Sequence, residues 1–299
     1  MKYLKFRFKS FTYELYHRPG EWMTPEALEA LQSRLVAVAE ARLGSRPNYG
    51  FFADLESFNN KLITICSLNG EDRCFNAMVY IGRYKKRPVV HLGSVYSLEG
   101  NKGQMQLLYY WSSLYMQYHA GFRKIYITSL THTPKIFGAV AEAYENVFPN
   151  GDPDAQPEPF HLAARDMLMA SYMKEFQMRV PPEVDERFII KGFRLMADGT
   201  TLFPDTTETV PKHRKAFFND YCLARLDYPG GDDIMQVGTL KTTTPFKNMK
   251  MFKKGGMLRP SNIVRNVYGY TCERIRILLF GDSRPAGTME ACRMTDTQR

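Results

Sequence analysis

The residues best placed to do chemistry lie in a glycine-containing turn between a strand and a helix. The turn, residues 98–104 (LEGNKGQ), follows the apolar strand Val89–Tyr96, and a helix is predicted from Gln104 to about His119. The first N–H groups of a helix have no partner within the helix, so they point outward toward any nearby anion. Lys102 adds a full positive charge. The turn therefore predicts a site for a phosphate or another anionic group.

Three consecutive antiparallel strands are predicted before and up to this turn. Lys61–Leu68 and Cys74–Tyr84 are rich in β-branched and aromatic residues, and Asn69-Gly70 lies near their junction as a hairpin signal. A second exposed turn, residues 85–88 (KKRP), leads into Val89–Tyr96. The anion site is thus expected at the end of the last of these three strands.

The segment before these strands predicts one strand and one helix. Residues 3–15 alternate aromatic and basic side chains, which is typical of a single half-exposed strand. Thr24 and Pro25 are suited to the cap and the first position of a helix, whose apolar residues recur at helical spacing until Gly44.

The segment after the turn predicts a further strand and helix, then more mixed structure. We expect a strand at Lys124–Thr128 and a helix at Thr133–Phe148. Beyond a proline-rich connector we expect a helix at His161–Met178 and strands at Arg187–Met196 and Phe218–Tyr228.

This order of elements resembles the GNAT N-acyltransferase fold over roughly residues 3–230. The resemblance implies an α+β fold, an α/β sandwich whose mixed, mostly antiparallel sheet is flanked by helices and splays open between its fourth and fifth strands. It implies that an acyl-CoA donor lies in the gap, with its pyrophosphate on the turn and helix that follow the fourth strand. Residues 1–240 would form the GNAT-like domain, and residues 241–299 a basic C-terminal extension.

The turn resembles the family's pyrophosphate loop, Arg/Gln-x-x-Gly-x-Gly/Ala, in part. Gly103 matches the central glycine, and Val95 stands at the expected distance upstream. Gly100 occupies the place of the arginine or glutamine, and Met105 that of the small residue. The resemblance implies that the donor is held by Val95, Gly100, Asn101, Lys102, Gly103 and Gln104.

Acyl transfer to an amine requires an N–H group that polarises the thioester carbonyl, an acid for the leaving thiolate and a base for the amine. The open edge of Val89–Tyr96 could supply the N–H group. Tyr144, in a segment that resembles the family's second motif, is implied as the acid. His91 titrates in the right range for the base, and Glu99 and Glu56 are alternatives.

Composition narrows the partners without selecting one. The net charge of +9 and a pI near 9.2 favour acidic partners such as phosphorylated cofactors, acidic carrier proteins, nucleic acid or anionic lipid surfaces. The five cysteines show no C-x-x-C pair and no zinc-site spacing, so we expect no metal and a reducing compartment. No run approaches the roughly 18 apolar residues of a membrane span, and we expect a cytoplasmic protein.

The sequence therefore predicts an acyltransferase that uses acyl-CoA or an acyl carrier protein thioester and an amine acceptor, either a small molecule or a peptide. The 18 Tyr and 20 Phe residues, and the long chain after Gly151, favour a long or bulky acyl group or acceptor. One alternative is a non-enzymatic nucleic-acid-binding protein that uses the sheet and the basic segment 241–276. Another is an inactive GNAT-like module that binds a protein partner.

Overall fold

The computed structural model describes residues 2–8, 10–47, 49–98, 100, 104–175, 183–195 and 205–244. Within these ranges the chain has an α+β fold built on one mixed, mostly antiparallel sheet of nine strands. Helices cover both faces of the sheet. The adjacent residues Leu62 and Ile63 of the sheet illustrate this, because they are buried in different hydrophobic clusters on opposite faces.

The strands, in chain order, are β1 (Tyr3–Phe8), β2 (Phe11–His17), β3 (Lys61–Leu68), β4 (Glu71–Tyr84), β5 (Arg87–Ser97), β6 (Ile125–Thr131), β7 (Glu145–Phe148), β8 (Ile189–Ile190) and β9 (Asp233–Leu240). The α-helices are α1 (Pro25–Leu43), α2 (Gln104–His119), α3 (Pro134–Ala143), α4 (Pro159–Glu175) and α5 (Ala216–Leu223). Short 3-10 helices occur at Pro19–Glu21, Gly50–Phe52 and Leu55–Asn60. The spatial order of the strands is β1-β2-β3-β4-β5-β6-β9-β7, and β8 pairs with β9.

The sheet opens between β5 and β6. These two strands run parallel and pair only at Val89–Tyr126, Val90–Ile127 and His91–Thr128. Beyond these pairs β5 continues against β4, and β6 continues against β9. The predicted fold class, a mixed and mostly antiparallel splayed sheet flanked by helices, is therefore confirmed.

Both faces of the sheet are packed by helices. Helix α2 lies on one face, where Trp111 and Tyr115 join a cluster with Met78 and Val90 of the sheet. Helices α1 and α4 cover the other face in two further clusters. Helix α2 is the next helix after β5, and Gln104 at its start contacts Tyr13 of β2.

The predicted helix caps, the predicted hairpin turn and the predicted bounds of α2 are all found in the structure. The hydroxyl of Thr24 accepts a hydrogen bond from the N–H of Ala27, and Gly44 ends α1 with φ 76°. Asn69 and Gly70 both have positive φ, 54° and 87°, as expected for a tight two-residue hairpin turn. Helix α2 begins at Gln104 and ends at His119 as predicted.

The prediction of one strand over residues 3–15 is wrong, because this segment is a hairpin. Strands β1 and β2 pair along their whole length, with Phe8 opposite Phe11. The spacing of three between these two residues breaks the two-residue period of a strand. That break was the signal of the turn.

The prediction of a helix at Thr133–Phe148 is correct only as far as Ala143. Strand β7 follows and pairs with β9, and Asn146 takes a left-handed φ of 49°. Val147 and Phe148 are neighbours in sequence but are buried in different clusters, as adjacent strand residues can be. The apolar spacing up to Val147 fits a helix equally well, so periodicity alone could not locate the boundary.

Two later strand predictions are also wrong. The segment Arg187–Met196 contains only the two-residue strand β8, followed by a turn over residues 191–194; Met196 itself lies outside the described residues. The segment Phe218–Tyr228 includes most of helix α5, in which Phe218, Tyr221 and Cys222 are buried at helical spacing.

Strand β9 was not predicted, although it occupies a central place between β6 and β7. All eight of its residues are buried. Its sequence, DIMQVGTL, mixes polar and apolar residues without strict alternation. A strand of this kind is recognised by its neighbours in the sheet and not by its own pattern.

Two other predicted segments are described only in part. Helix α4 confirms the predicted helix at His161–Met178 through Glu175, and the remaining residues lie outside the description. The basic segment 241–276 is described only through Thr244.

Cys66, Cys74 and Cys222 are buried free thiols. Among the described helices, none is both long and apolar enough to cross a bilayer.

Candidate functional site

A bulge in β5 marks the point where this strand leaves β6. Val79 of β4 pairs with His91, whereas Ala77 pairs with Ser94, so β5 contains one extra residue at this point. Gly93 has φ 63°, and a Cβ atom on it would lie 1.9 Å from the carbonyl oxygen of Ala77. Only glycine fits this geometry. A bulge bends its strand, and here the bend in β5 occurs where β5 separates from β6.

Beyond the bulge one edge of β5 faces the gap. On its other side β5 remains paired with β4 as far as Ser97. Among the strands that the structure describes, none pairs with the gap-facing edge from Leu92 to Ser97. Backbone N–H and C=O groups on such an edge need hydrogen-bond partners. An extended ligand in the gap could supply them.

His91 lies at the vertex of the splay and is only 5% exposed. Its Nδ1 atom is 3.0 Å from the hydroxyl oxygen of Thr128, and its Nε2 atom is 3.1 Å from the hydroxyl oxygen of Tyr172. Burial, with a smaller contribution from the positive charge of Lys61, lowers the pKa of His91 to about 3. The imidazole is therefore neutral at pH 7 and is a weak base, better suited to hydrogen bonding than to removing a proton.

A small cavity lies beside His91, between the sheet and α4. It has a volume of about 40 Å³. Apolar side chains of β4 and α4 form part of its wall. Its polar lining consists of Tyr49, Lys61, His91, Ser94, Ser171 and Tyr172. Lys61, the first residue of β3, is only 1% exposed. The cavity thus combines a buried positive charge with several hydroxyl groups.

Tyr144 immediately follows α3 and packs against the cluster that contains α2. Its hydroxyl is hydrogen-bonded to Ser113, and burial raises the pKa of Tyr144 to about 12. The phenol therefore keeps its proton at neutral pH. Tyr144 and His91 pack against different helices on opposite faces of the sheet, so the structure does not bring these two candidates into contact.

The turn that was predicted to bind phosphate is described at three positions, Leu98, Gly100 and Gln104. Gly100 is exposed and has φ 81°. Gln104, the first residue of α2, is buried, and its side-chain oxygen accepts a hydrogen bond of 2.6 Å from the hydroxyl of Tyr13. This contact anchors the start of α2 to β2. Glu99, Asn101, Lys102 and Gly103 lie outside the described residues.

Two further sequence candidates lie in different settings. Val95 is half-buried on β5 beyond the bulge, where it pairs with Asn76. Glu56 is exposed on the 3-10 helix Leu55–Asn60 and does not line the cavity. Val95 is thus on the diverging part of the strand, and Glu56 is outside the group around His91.

Sequence reasoning missed three residues that surround His91. Lys61, Thr128 and Tyr172 come from β3, β6 and α4, and only the tertiary fold brings them together. A lysine that begins a buried strand was a usable signal, because lysine is almost never fully buried without a specific reason. Thr128 and Tyr172 gave no comparable signal.

The described residues contain no group of three or more His, Cys, Asp or Glu side chains that could hold a metal ion.

Comparisons with known proteins do not assign this chain to a family. No protein-family model matches the chain, and no curated protein is similar to it in sequence. Among solved structures, ribosomal-protein-S5-alanine acetyltransferase from Vibrio fischeri matches with 14% identity and a TM-score of 0.28, over 42% of this chain and 73% of that one. An uncharacterized protein from Bacillus halodurans matches with 9% identity and a TM-score of 0.25, over 43% of this chain and 71% of that one. Both TM-scores are low, so the fold assignment depends on the strand order and splay of this chain itself.

Proposed function

We propose that this protein is an acyltransferase that moves an acyl group from an acyl thioester to an amine. The observation that carries the proposal is the separation of β5 from β6 after His91, with the bulge at Gly93 and an edge of β5 from Leu92 to Ser97 with which no described strand pairs. The gap offers a strand edge to an extended donor. A backbone N–H group on that edge is suited to polarising the thioester carbonyl.

In this proposal the donor is acyl-CoA or an acyl carrier protein thioester, and its phosphates meet the turn before α2. Val95, Gly100, Asn101, Lys102, Gly103 and Gln104 are the proposed donor-binding residues. The side chain of Gln104 is engaged by Tyr13, so its backbone N–H is the group available to the donor. One anion at a helix N-terminus gains about 0.3–1 kcal/mol when exposed and up to about 2 kcal/mol when partly buried. A full pyrophosphate site therefore needs several of these contacts together.

The proposed chemistry assigns separate roles to the candidate side chains. Tyr144 donates a hydrogen bond to the departing sulfur, since a phenol with a pKa of about 12 keeps its proton at neutral pH. Glu99 is the proposed base for the amine, because an imidazole with a pKa of about 3 accepts a proton poorly. His91 then holds the vertex of the splay through its hydrogen bonds to Thr128 and Tyr172.

We also propose that residues 1–240 form the acyltransferase domain, with residues 241–299 as a basic extension, and that the protein works in the cytoplasm. The net charge of +9 would attract an acidic carrier protein as well as CoA. A long or bulky acyl group remains part of the proposal, supported by the high aromatic content of 13%.

Thermal-shift titration tests the donor directly. The melting temperature should rise with acetyl-CoA, with a longer acyl-CoA or with acyl carrier protein, because a ligand that binds only the folded state stabilises it. Lys102→Ala should weaken the response, whereas Lys135→Ala, which removes an exposed charge on α3, should leave it intact. Absence of a shift with every donor, in a folded protein, would refute the proposal.

The second candidate function is nucleic-acid binding, which the basic residues after Lys241 favour. Phosphate contacts would make the affinity fall steeply as salt rises. Changing Lys247, Lys250, Lys253 and Lys254 to glutamate should abolish such binding. If these changes leave nucleic-acid binding untouched, this alternative fails.

A further inference from the structure

We propose that Cys66 and Cys74 form a reversible disulfide that regulates the turn between β5 and α2. The two cysteines lie opposite each other on neighbouring strands, and they contact the residues at both ends of this turn. Formation of the disulfide can be tested by itself. Its effect on donor binding rests on the proposed acyltransferase function.

The two cysteines are direct partners across the antiparallel pair of β3 and β4. Opposite residues in such a pair have Cα atoms about 4.5–5.5 Å apart, which lies within the range of about 4.4–6.8 Å that a disulfide spans. Both side chains are fully buried in the cluster on the α2 face of the sheet, and their thiols are hydrogen-bonded to each other. The pair therefore meets the backbone requirement for a disulfide, and its sulfur atoms are already in contact.

The two thiols differ in acidity. The hydrogen bond from Cys74, with a smaller contribution from the hydroxyl of Tyr13, lowers the pKa of the Cys66 thiol against the opposing effect of burial. The same hydrogen bond, together with burial, raises the pKa of Cys74. The thiolate is the reactive form of cysteine. Cys66 is therefore the nucleophile that reacts first, and Cys74 is the thiol that completes the disulfide.

The oxidant must be small, because both thiols are buried, and hydrogen peroxide is only slightly larger than water. The Cys66 thiolate attacks one peroxide oxygen, the O–O bond breaks, and Cys66 becomes a sulfenic acid while hydroxide leaves and takes up a proton. The Cys74 sulfur then loses its proton and attacks the sulfenic sulfur, which forms the S–S bond and releases water. Two thiols and one peroxide thus give one disulfide and two water molecules. A small dithiol reverses the oxidation by thiol–disulfide exchange.

Gln104, the first residue of α2, connects the cysteine pair to the end of the turn. Its side-chain oxygen accepts a weak hydrogen bond of 3.9 Å from the Sγ atom of Cys66 and one of 2.6 Å from the hydroxyl of Tyr13. Formation of the disulfide removes the thiol hydrogen of Cys66. Of these two contacts, Gln104 then keeps the one with Tyr13, so the start of α2 is held less firmly.

Ser97, the last residue of β5, connects the pair to the beginning of the turn. Its hydroxyl donates a hydrogen bond of 3.2 Å to the carbonyl oxygen of Leu98 and also contacts the thiol of Cys74. The backbone N–H of Leu98 donates to the carbonyl oxygen of Arg73, the residue before Cys74. The disulfide therefore changes contacts at both ends of the segment that the donor's phosphates are proposed to meet.

Peroxide treatment of the whole protein tests the disulfide without any donor. Trypsin cleaves after Arg73, between the two cysteines, so a disulfide should join two peptides in mass spectrometry after alkylation of the remaining thiols. Dithiothreitol should separate them. Cys222→Ala, which removes another buried thiol, should leave the link in place. A protein that stays folded in peroxide and yields no link between Cys66 and Cys74 would overturn the inference.

Donor binding gives the second readout. Oxidation should weaken the binding of acetyl-CoA roughly threefold to tenfold in calorimetry, as expected for the loss of a hydrogen bond that orders the turn. Dithiothreitol should restore the affinity, which distinguishes the disulfide from methionine oxidation because methionine sulfoxide requires a dedicated reductase. The affinity of Cys66→Ala should not respond to peroxide.

The two readouts separate the regulation from the proposed function. A disulfide that leaves the affinity for acetyl-CoA unchanged would refute regulation of the turn. A disulfide in a protein that binds no acyl thioester in either redox state would support the cysteine pair and refute the proposed function. Both results come from the unmodified protein, so they hold whether or not Cys66→Ala folds.

Discussion

The Nδ1 atom of His91 lies 3.0 Å from the hydroxyl oxygen of Thr128, at the last residue pair that joins β5 to β6. The Nε2 atom of the same ring contacts the hydroxyl of Tyr172 on α4. One neutral side chain therefore links both strands of the splay to the helix that covers them. We therefore expect the geometry of the gap to depend on this link.

Replacing His91 should loosen this vertex. His91→Leu removes the hydrogen bonds to buried Thr128 and half-buried Tyr172, which should lower the free energy of unfolding by about 1–3 kcal/mol. His91→Gln can retain one contact and should cost less. Urea denaturation monitored by circular dichroism measures both values. A leucine variant as stable as the glutamine variant would show that these contacts do not hold the vertex.

Stability should fall as the pH decreases below neutrality. Burial lowers the pKa of His91 to about 3 and that of His17 to about 4, below the value of about 6.5 for an unfolded histidine. Both rings are neutral when folded, so the unfolded chain takes up more protons below pH 6.5. Their contribution is complete above that pH and is lost as the pH falls toward 3–4. Between pH 7 and pH 5 the free energy of unfolding should fall by up to about 2 kcal/mol for each ring.

Urea unfolding at these two pH values checks this expectation. Glu14 and Asp232 have lowered pKa values and lose their contributions mainly below about pH 4.5, so they interfere little above pH 5. His17→Gln and His91→Gln should each reduce the difference between the two pH values. An unchanged difference in both variants would mean that the rings do not stay neutral in the folded protein.

Gly93→Ala should damage the bulge more than a comparable change elsewhere. The new Cβ would lie 1.9 Å from the carbonyl oxygen of Ala77, so β4 and β5 would have to separate. Gly70→Ala is the matched control, since Gly70 also has positive φ, 87°, but has open space around it. The control should lose about 1–2 kcal/mol from backbone strain alone, and Gly93→Ala should lose more, with weaker donor binding. Equal losses of stability would contradict the geometry of the bulge.

Tyr144→Phe should slow acyl transfer without weakening donor binding. If the phenol stabilises the departing sulfur, kcat should fall roughly tenfold to a hundredfold, because a positioned hydrogen bond acts mainly in the transition state. The loss should shrink with an aryl thioester, whose thiolate leaves without help. Tyr110→Phe on α2 provides a control that removes another buried hydroxyl. An equal loss with alkyl and aryl thioesters would argue against this role.

Much of the framework could be predicted from local signals. Thr24 and Gly44 bracket α1, the Asn69-Gly70 turn joins β3 to β4, and the strand–turn–helix around Gln104 follows from its own pattern. These elements are specified by capping, turn chemistry and periodicity, which act over a few residues.

The remaining features depend on distant parts of the chain. Strand β9 is buried through its neighbours β6 and β7, and the segment up to Val147 fits a helix and a strand equally well until β7 pairs with β9. The group around His91 combines Lys61, Thr128 and Tyr172 from three separate elements. No local pattern could show that these residues meet, and the low pKa of His91 follows only from that meeting.

Hydrogen exchange in the presence of acetyl-CoA tests the central claim most directly, namely that the donor lies along the open edge of β5. Amide protons of the segment Leu92–Ser97 should exchange more slowly when the donor is bound, while those of the β1–β2 hairpin, at the far edge of the sheet, should be unaffected. Unchanged exchange in Leu92–Ser97 at saturating donor, or protection only in other strands, would contradict the claim.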